Sequence, residues 1–213
     1  MDPTSNDFHF TLMRHGESVG NAGGYLQGHI DFPLSEKGIQ QVSSLANHWK
    51  STGVQFDLVI SGALARARQS AEIIASILDV PTEIDNDWKE IDNGILAGMR
   101  FSEADEKYPQ PKFMNPYQAI GQTGESDWEL FLRAGRAVQR LVSRPPGKYL
   151  VVAHGGILNM AMRSMLGVFP QANFQGGRFI FRNTCYAIMT YSPSQHFWSL
   201  EGLYNPENGY HSP

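Results

Sequence analysis

Two apolar runs lying far apart in the chain end in the same way. Phe10-Thr11-Leu12-Met13 leads into Arg14-His15-Gly16, and Tyr149-Leu150-Val151-Val152-Ala153 leads into His154-Gly155-Gly156. Each reads as a buried strand followed by a sharp turn, because glycine lets the backbone reverse and approach a ligand closely. In an open parallel sheet such turns lie at the carboxyl edge, where ligands bind. If the two strands are neighbours, both imidazoles enter one crevice. The backbone N–H groups of a helix that follows can add to an anion site there.

The remaining pattern alternates strands with helices. Residues 8–13 read as a strand and 20–33 as a glycine-rich loop. Ser35 caps a helix whose apolar positions Ile39, Val42, Leu45, Ala46 and Trp49 recur at helical spacing. A short strand at 57–60 precedes a helix with Ala67, Ala71, Ile74 and Leu78 on one face, which stops before Pro81. Residues 84–98 read as irregular. Residues 99–124, broken by Pro109, Pro111, Pro116 and Gly121, read as an insertion or lid. Ser126 and Glu129 have capping-box spacing and open a helix through Phe131, Ala134, Val138 and Leu141, ended by Pro145-Pro146-Gly147. A strand at 148–153, a helix from Ile157 and strands at 178–182, 185–191 and 197–200 complete the reading. The expectation is an α/β fold: a mostly parallel central sheet flanked by helices on both faces. One domain spans 1–213, and its lid-like insertion falls between the acid-bearing segment and the second histidine.

Charge and cysteine usage narrow the partners. Seventeen basic residues against 21 acidic ones give a formal charge of −4, so no basic excess points to nucleic acid or an anionic membrane. Positive charge for an anionic substrate must therefore be local. Cys185 is the only cysteine, which suits a reducing compartment. Residues 1–7 show no leader pattern, and no run approaches the roughly 20 apolar residues of a membrane span. A cytoplasmic location is expected.

A phosphate monoester between the two histidines needs fixed countercharge. Arg14 stands beside His15, and Arg66 opens the second helix; guanidinium groups match phosphate oxygens with paired donors and stay charged. The same arginines push the imidazole pKa down and favour a neutral, nucleophilic ring. A carboxyl group must protonate the leaving oxygen. Glu90 is the candidate, with Glu83, Asp87 and Asp92 as alternatives. His9, His48, His196 and His211 follow no ligand spacing, so no metal site is expected, and His29 is left undecided. Arg178 and Arg182 alternate along the expected 178–182 strand, where they face a substrate or an exposed edge. Trp128 and Phe131 read as core.

With these residues assembled, the chain resembles the histidine phosphatase (phosphoglycerate-mutase-like) superfamily in its small cytosolic phosphatase branch. The resemblance rests on Arg14-His15-Gly16-Glu17-Ser18 with Asn21; Gln27-Gly28 with Asp31; Pro33-Leu34-Ser35 with Gly38 and Gln41; and the run Leu64 to Ala71. Glu90 with Gly94 and Gly98, Gly124-Glu125-Ser126, His154-Gly155-Gly156 and Asn183-Thr184 continue it. It implies a phosphohistidine at His15, with Arg14, Arg66 and His154 around the phosphoryl group. Glu90 would serve as acid and then as base toward water, and no metal or other cofactor is needed. Asn21, Gln27, Gly28 and Gly155 are assigned to the substrate side. Two departures stand out: Gly62 replaces the usual serine four residues before the second arginine, and Leu96-Ala97 replaces an aromatic and an acidic residue.

The expected activity is hydrolysis of small phosphorylated metabolites. A phosphoglycerate mutase is the alternative, together with a catalytically silent phosphate-binding relative. The mutase reading is weakened by Ile91, Asp92 and Asn93, where such relatives carry an arginine and a tyrosine. It is also weakened by the mere 64 positions between Glu90 and His154. In the lid, Arg100, Lys107 and Lys112 are offset by Glu103, Asp105 and Glu106, so no second phosphate is demanded. Tyr108, Phe113, Met114 and Tyr117 suggest a partly apolar leaving group.

Overall fold

The structure is a computed structural model and describes residues 8–208. In chain order its main elements are β1 (Phe8–Arg14), α1 (Val19–Ala22), α2 (Glu36–Ser51), β2 (Leu58–Ser61), α3 (Ala65–Leu78) and β3 (Thr82–Ile84). They continue as α4 (Phe101–Lys107), α5 (Asp127–Val142), β4 (Lys148–Ala153), α6 (Gly155–Met165), β5 (Tyr186–Ser192) and β6 (Phe197–Tyr204). The leader reading at 1–7 and the exclusion of His211 lie outside the described residues.

The strands form one sheet in the order β3-β2-β4-β1-β5-β6. β3, β2, β4 and β1 run parallel, while β5 and β6 continue the sheet antiparallel. Strict alternation makes the inner strands apolar on both faces. On one side Phe10, Leu12, Ile60, Val151 and Ala153 pack against α5 and α6. On the other, Met13, Val59, Leu150 and Val152 pack against α2 and α3. A strand covered on both faces has no polar face to show, which is why β4 reads as an unbroken apolar run from Tyr149 to Ala153, while β1 keeps half-buried His9 and Thr11 on one face.

Local signals set the helix ends. Ser35 Oγ accepts from the Gly38 amide at 3.0 Å and starts α2. At α5, Ser126 and Glu129 bond reciprocally, Oγ taking the Glu129 amide at 3.2 Å and Oε2 the Ser126 amide at 2.8 Å. α3 lacks a side-chain cap of its own; Asp31 reaches from the preceding loop to accept from the Ala65 amide at 2.5 Å. Asp79 then ends α3 in the left-handed conformation, with φ at 57°.

Several expectations need correction. Residues 178–182 are not a strand, because the sheet edge beyond β5 is taken by β6. Instead α6 holds this segment through side chains: Asn159 Oδ1 accepts from the Phe179 amide at 2.9 Å, and Arg163 Nε donates to Gly177 O at 2.9 Å. Arg178 and Arg182 therefore share no strand face. Three-residue β3 falls where the sequence reading assigns no strand, being an exposed edge with no apolar alternation, and its last residue opens the 84–98 segment expected to be irregular. The lid contains α4, stabilised by a Lys107–Glu103 contact of 2.8 Å one turn apart. Ile39, placed on the buried face of α2, is 47% exposed.

Candidate active site

β1 and β4 are hydrogen-bonded neighbours in a register that sets Arg14 opposite Ala153. One residue further, the His15 amide donates to Ala153 O at 3.0 Å, and the two histidine rings meet edge to face, centroids 5.0 Å apart. The crevice expected from the two strand-His-Gly segments is present. His15 opens onto a cavity of about 230 Å3 whose wall also includes Arg14, Arg66, Glu90, Asn21, Gln27 and Gly28. His154 is fully buried against His15 rather than on that wall.

The electrostatics keep both rings neutral. Burial, then the nearby Arg14 and Arg66 charges, hold His15 well below the usual histidine pKa. Burial, then His15 and the two arginines, do the same to His154. His15 Nδ1 lies 2.6 Å from Gly16 O, an atom that can only accept, so Nδ1 carries the proton and Nε2 keeps its lone pair. A buried, desolvated imidazole with Nε2 unprotonated is a nucleophile.

Both arginines are anchored through carbonyls. Arg14 Nη1 donates to Phe181 O at 2.8 Å, while Arg66 donates from Nη1 to Ile30 O and from Nη2 to Gly28 O, each at 2.9 Å. Arg66 and Asp31 thus tie the loop to the first turn of α3 from both directions. Burial pulls the Arg66 pKa down to about 10, which leaves it cationic at neutral pH. Arg14 Nε, Arg66 Nε and both His154 ring nitrogens are buried and have no hydrogen-bond partner among the described residues. The two guanidinium N–H groups and the single N–H of the neutral His154 ring suit an anion rich in acceptor oxygens.

Glu90 lines the same cavity. Its Oε1 accepts from the Ile91 and Gly156 amides, each at 3.0 Å, and from the Ile157 amide at 3.2 Å. Oε2 has only a longer contact with Gly156 N, at 3.3 Å, and is the oxygen left for proton transfer. A Cβ at Gly156 would lie 2.5 Å from Oε1, so the absence of a side chain there admits the carboxylate. The other carboxylates are engaged elsewhere: Glu83 with Arg144, Asp87 with Arg140, and Asp92 at the Gly94 amide.

Of the residues assigned to the substrate side, Asn21, Gln27 and Gly28 line the cavity. Asn21 Oδ1 also accepts from Asn183 Nδ2 at 3.2 Å, and Gln27 Oε1 from Ser18 Oγ at 2.7 Å. Gly155 does not line it; Gly155 sits beside the Arg14 guanidinium, and of the Gly155-Gly156 pair it is Gly156 that lines the cavity. From the lid, Phe101 lines this cavity, whereas Tyr108, Phe113, Met114 and Tyr117 are not among its lining residues. Gly62 has a local cause: a Cβ there would meet Trp88 O at 2.5 Å and His154 Nε2 at 3.3 Å.

Sequence reasoning missed the device that holds Glu90. Arg133 on α5 donates from Nη1 to Asp87 O at 2.9 Å and Lys89 O at 2.7 Å, and from Nη2 to Glu90 O at 3.1 Å. The same guanidinium pairs with Glu125 through contacts of 2.8 and 2.6 Å. His29 Nε2 bonds Glu90 O at 2.8 Å from the other side. The available signal was Glu125, quoted in a matching motif, with an arginine two turns along the helix that follows. Among the described residues, no group of three or more His, Cys, Asp or Glu could hold a metal ion, and no helix is long and apolar enough to cross a membrane.

Known proteins agree with this architecture. The chain is 27% identical over 194 residues to a broad-specificity phosphatase of Saccharomyces cerevisiae, covering 88% of this chain and 81% of that one. It is 30% identical over 195 residues to a probable phosphoglycerate mutase of Salmonella arizonae, covering 90% and 87%. The solved structure of YhfR from Bacillus stearothermophilus superposes with a TM-score of 0.79 at 26% identity, covering 91% of this chain and 95% of that one. A family model matches residues 10–205, and the chain belongs to the histidine phosphatase superfamily, branch 1.

Proposed function

We propose that the chain hydrolyses small phosphate monoesters through a phosphohistidine at His15, without a metal ion. The observation that carries this reading is the neutral His15 ring, edge-on to His154 at 5.0 Å, in a cavity whose wall also holds Arg14, Arg66 and Glu90. His15 Nε2 attacks phosphorus as the P–O bond to the leaving group breaks, and Glu90 passes its proton to the departing oxygen. Arg14, Arg66 and an N–H of His154 hold the equatorial oxygens, where charge accumulates. Glu90, now a carboxylate, takes a proton from water as that water attacks phosphorus and the P–N bond breaks, which returns the electron pair to His15 Nε2 and releases inorganic phosphate. The arginines supply the positive charge that a metal supplies in other phosphoryl-transfer sites.

The test is a panel of metabolite monoesters assayed with a chelator present, beside an assay for phosphoryl transfer between phosphoglycerate isomers. Phosphate release that outpaces isomerisation and is unaffected by the chelator supports the proposal. Isomerisation faster than phosphate release makes the chain a mutase. Chelator inactivation reversed by a divalent cation removes the metal-free scheme.

A further inference from the structure

A second cavity, of about 290 Å3, shares Ile91 and Gly156 with the cavity of His15 and Glu90. It lies between α5 and α6, with apolar walls at Leu130, Met160 and Phe174 and polar ones at Asp127, Arg163 and Arg178. The reaction proposed above does not use any of these residues. Asp127 is the unusual one. It is the first residue of α5, the residue as a whole is only 7% exposed, and its carboxylate lines the cavity with no hydrogen bond or ion pair to the described residues. Its oxygens are therefore free to accept from a group that enters the cavity with donors.

The neighbouring charges narrow what that group is. Arg163 is 2% exposed and committed to the carbonyls of Gly177 at 2.9 Å and Gln175 at 3.2 Å, where it pins the segment over the cavity. Arg163 and Arg178 lie close enough to act electrostatically on Asp127. An ammonium group reaching Asp127 would therefore face two guanidinium charges, and a second phosphate would face the carboxylate. A neutral hydroxyl group avoids both conflicts, donating to Asp127 and accepting from Arg178. Leu130, Met160 and Phe174 offer apolar surface for the C–H faces of such a molecule.

Position connects this cavity to the chemistry. Glu90 protonates the leaving oxygen in the proposed reaction, and its carboxylate is bonded to the amide of Gly156, a residue common to both cavities. We propose that the second cavity is the leaving-group subsite, and that it takes a neutral polyol whose distal hydroxyl groups bond to Asp127. The inference rests on the phosphatase reading.

The experiment compares kcat/KM for a six-carbon polyol monophosphate and for hexyl phosphate, which has the same reach and no hydroxyl groups, in wild type, Asp127→Ala and Arg178→Ala. The ratio of the two values is independent of the fraction of enzyme that is correctly folded. Wild type should prefer the polyol ester, and Asp127→Ala should lower that preference about 10–100-fold, the worth of one hydrogen bond to a charged group. Arg178→Ala, at an exposed residue, should lower it in the same direction. An unchanged ratio in both variants, or no wild-type preference while both esters are hydrolysed, overturns the subsite and leaves the phosphatase reading standing. Failure of wild type to release phosphate from either ester, or from p-nitrophenyl phosphate, overturns both.

Discussion

Gly156→Ala separates the chemistry of this site from its stability. Gly156 lies in the first turn of α6, and its φ is not in the left-handed region, so alanine fits the backbone there. Replacing a helical glycine by alanine stabilises by about 0.5–1 kcal/mol, through the smaller entropy loss on folding. The new Cβ, however, would stand 2.5 Å from Glu90 Oε1, against an ordinary contact of at least 3.4 Å. The carboxylate must retreat by roughly 0.9 Å, and a displacement near 1 Å can cost on the order of 10²-fold in rate. With Glu90 as the proton donor of the proposed reaction, the loss should be largest for alkyl phosphates and smaller for p-nitrophenyl phosphate, whose leaving group needs little help. Thermal unfolding and kcat for both esters measure the two effects. The expected outcome is a kcat loss graded by leaving group, while Tm reports the balance between the glycine-to-alanine gain and the lengthened bonds from the Gly156 and Ile157 amides to Glu90. Full activity on alkyl phosphates, or an equal loss on both esters, would refute the assignment of Glu90.

Other consequences follow from the same geometry. Arg66→Ala should lower kcat by about 10²–10³-fold, as for a lost transition-state donor, measured by steady-state kinetics; a full rate would remove Arg66 from the mechanism. Arg133→Met should slow alkyl phosphates more than p-nitrophenyl phosphate, and should add little to Glu90→Gln if it acts by positioning that residue; Arg133→Lys keeps the charge but loses the forked geometry and should recover only part. His15 and His154 have native pKa values well below the ordinary 6.5, so the native state binds fewer protons than the unfolded chain below that pH. Their contribution to stability is therefore complete above pH 6.5 and declines as pH falls, by up to about 1.4 kcal/mol per pH unit for each ring. Urea unfolding at pH 7.5 and 5.5 reads this slope, which His154→Asn should reduce; equal slopes in wild type and variant would contradict it.

The two strand-His-Gly segments were legible because both strands are buried on both faces and both end at the carboxyl edge. Their adjacency follows from a register that no local pattern encodes, yet the repeated ending pointed to it. Arg66 and Glu90 were legible as charges but not as partners: Arg66 is held by the carbonyls of Gly28 and Ile30, and Glu90 by the α6 amides. Backbone acceptors and donors leave no trace in side-chain identity. Arg133 was missed for that reason, since three of its bonds go to carbonyls of a segment more than 40 positions away. The strand expected at 178–182 failed because an apolar run of Phe179, Ile180 and Phe181 between two arginines becomes a strand only where a sheet edge is free. Here β6 occupies that edge, and Arg163 and Asn159 hold the segment instead. Asp127 passed as an ordinary first-turn acid of α5; only the packing around it reveals a carboxylate without donors.

The most direct measurement is to quench the enzyme during turnover of a 32P-labelled monoester and map the label. A phosphoramidate on nitrogen, stable in base and lost in acid, should be found on the peptide holding residue 15 and be absent from His15→Asn. Label on residue 154 instead, an acid-stable adduct, or turnover with no covalent label at all would contradict the account.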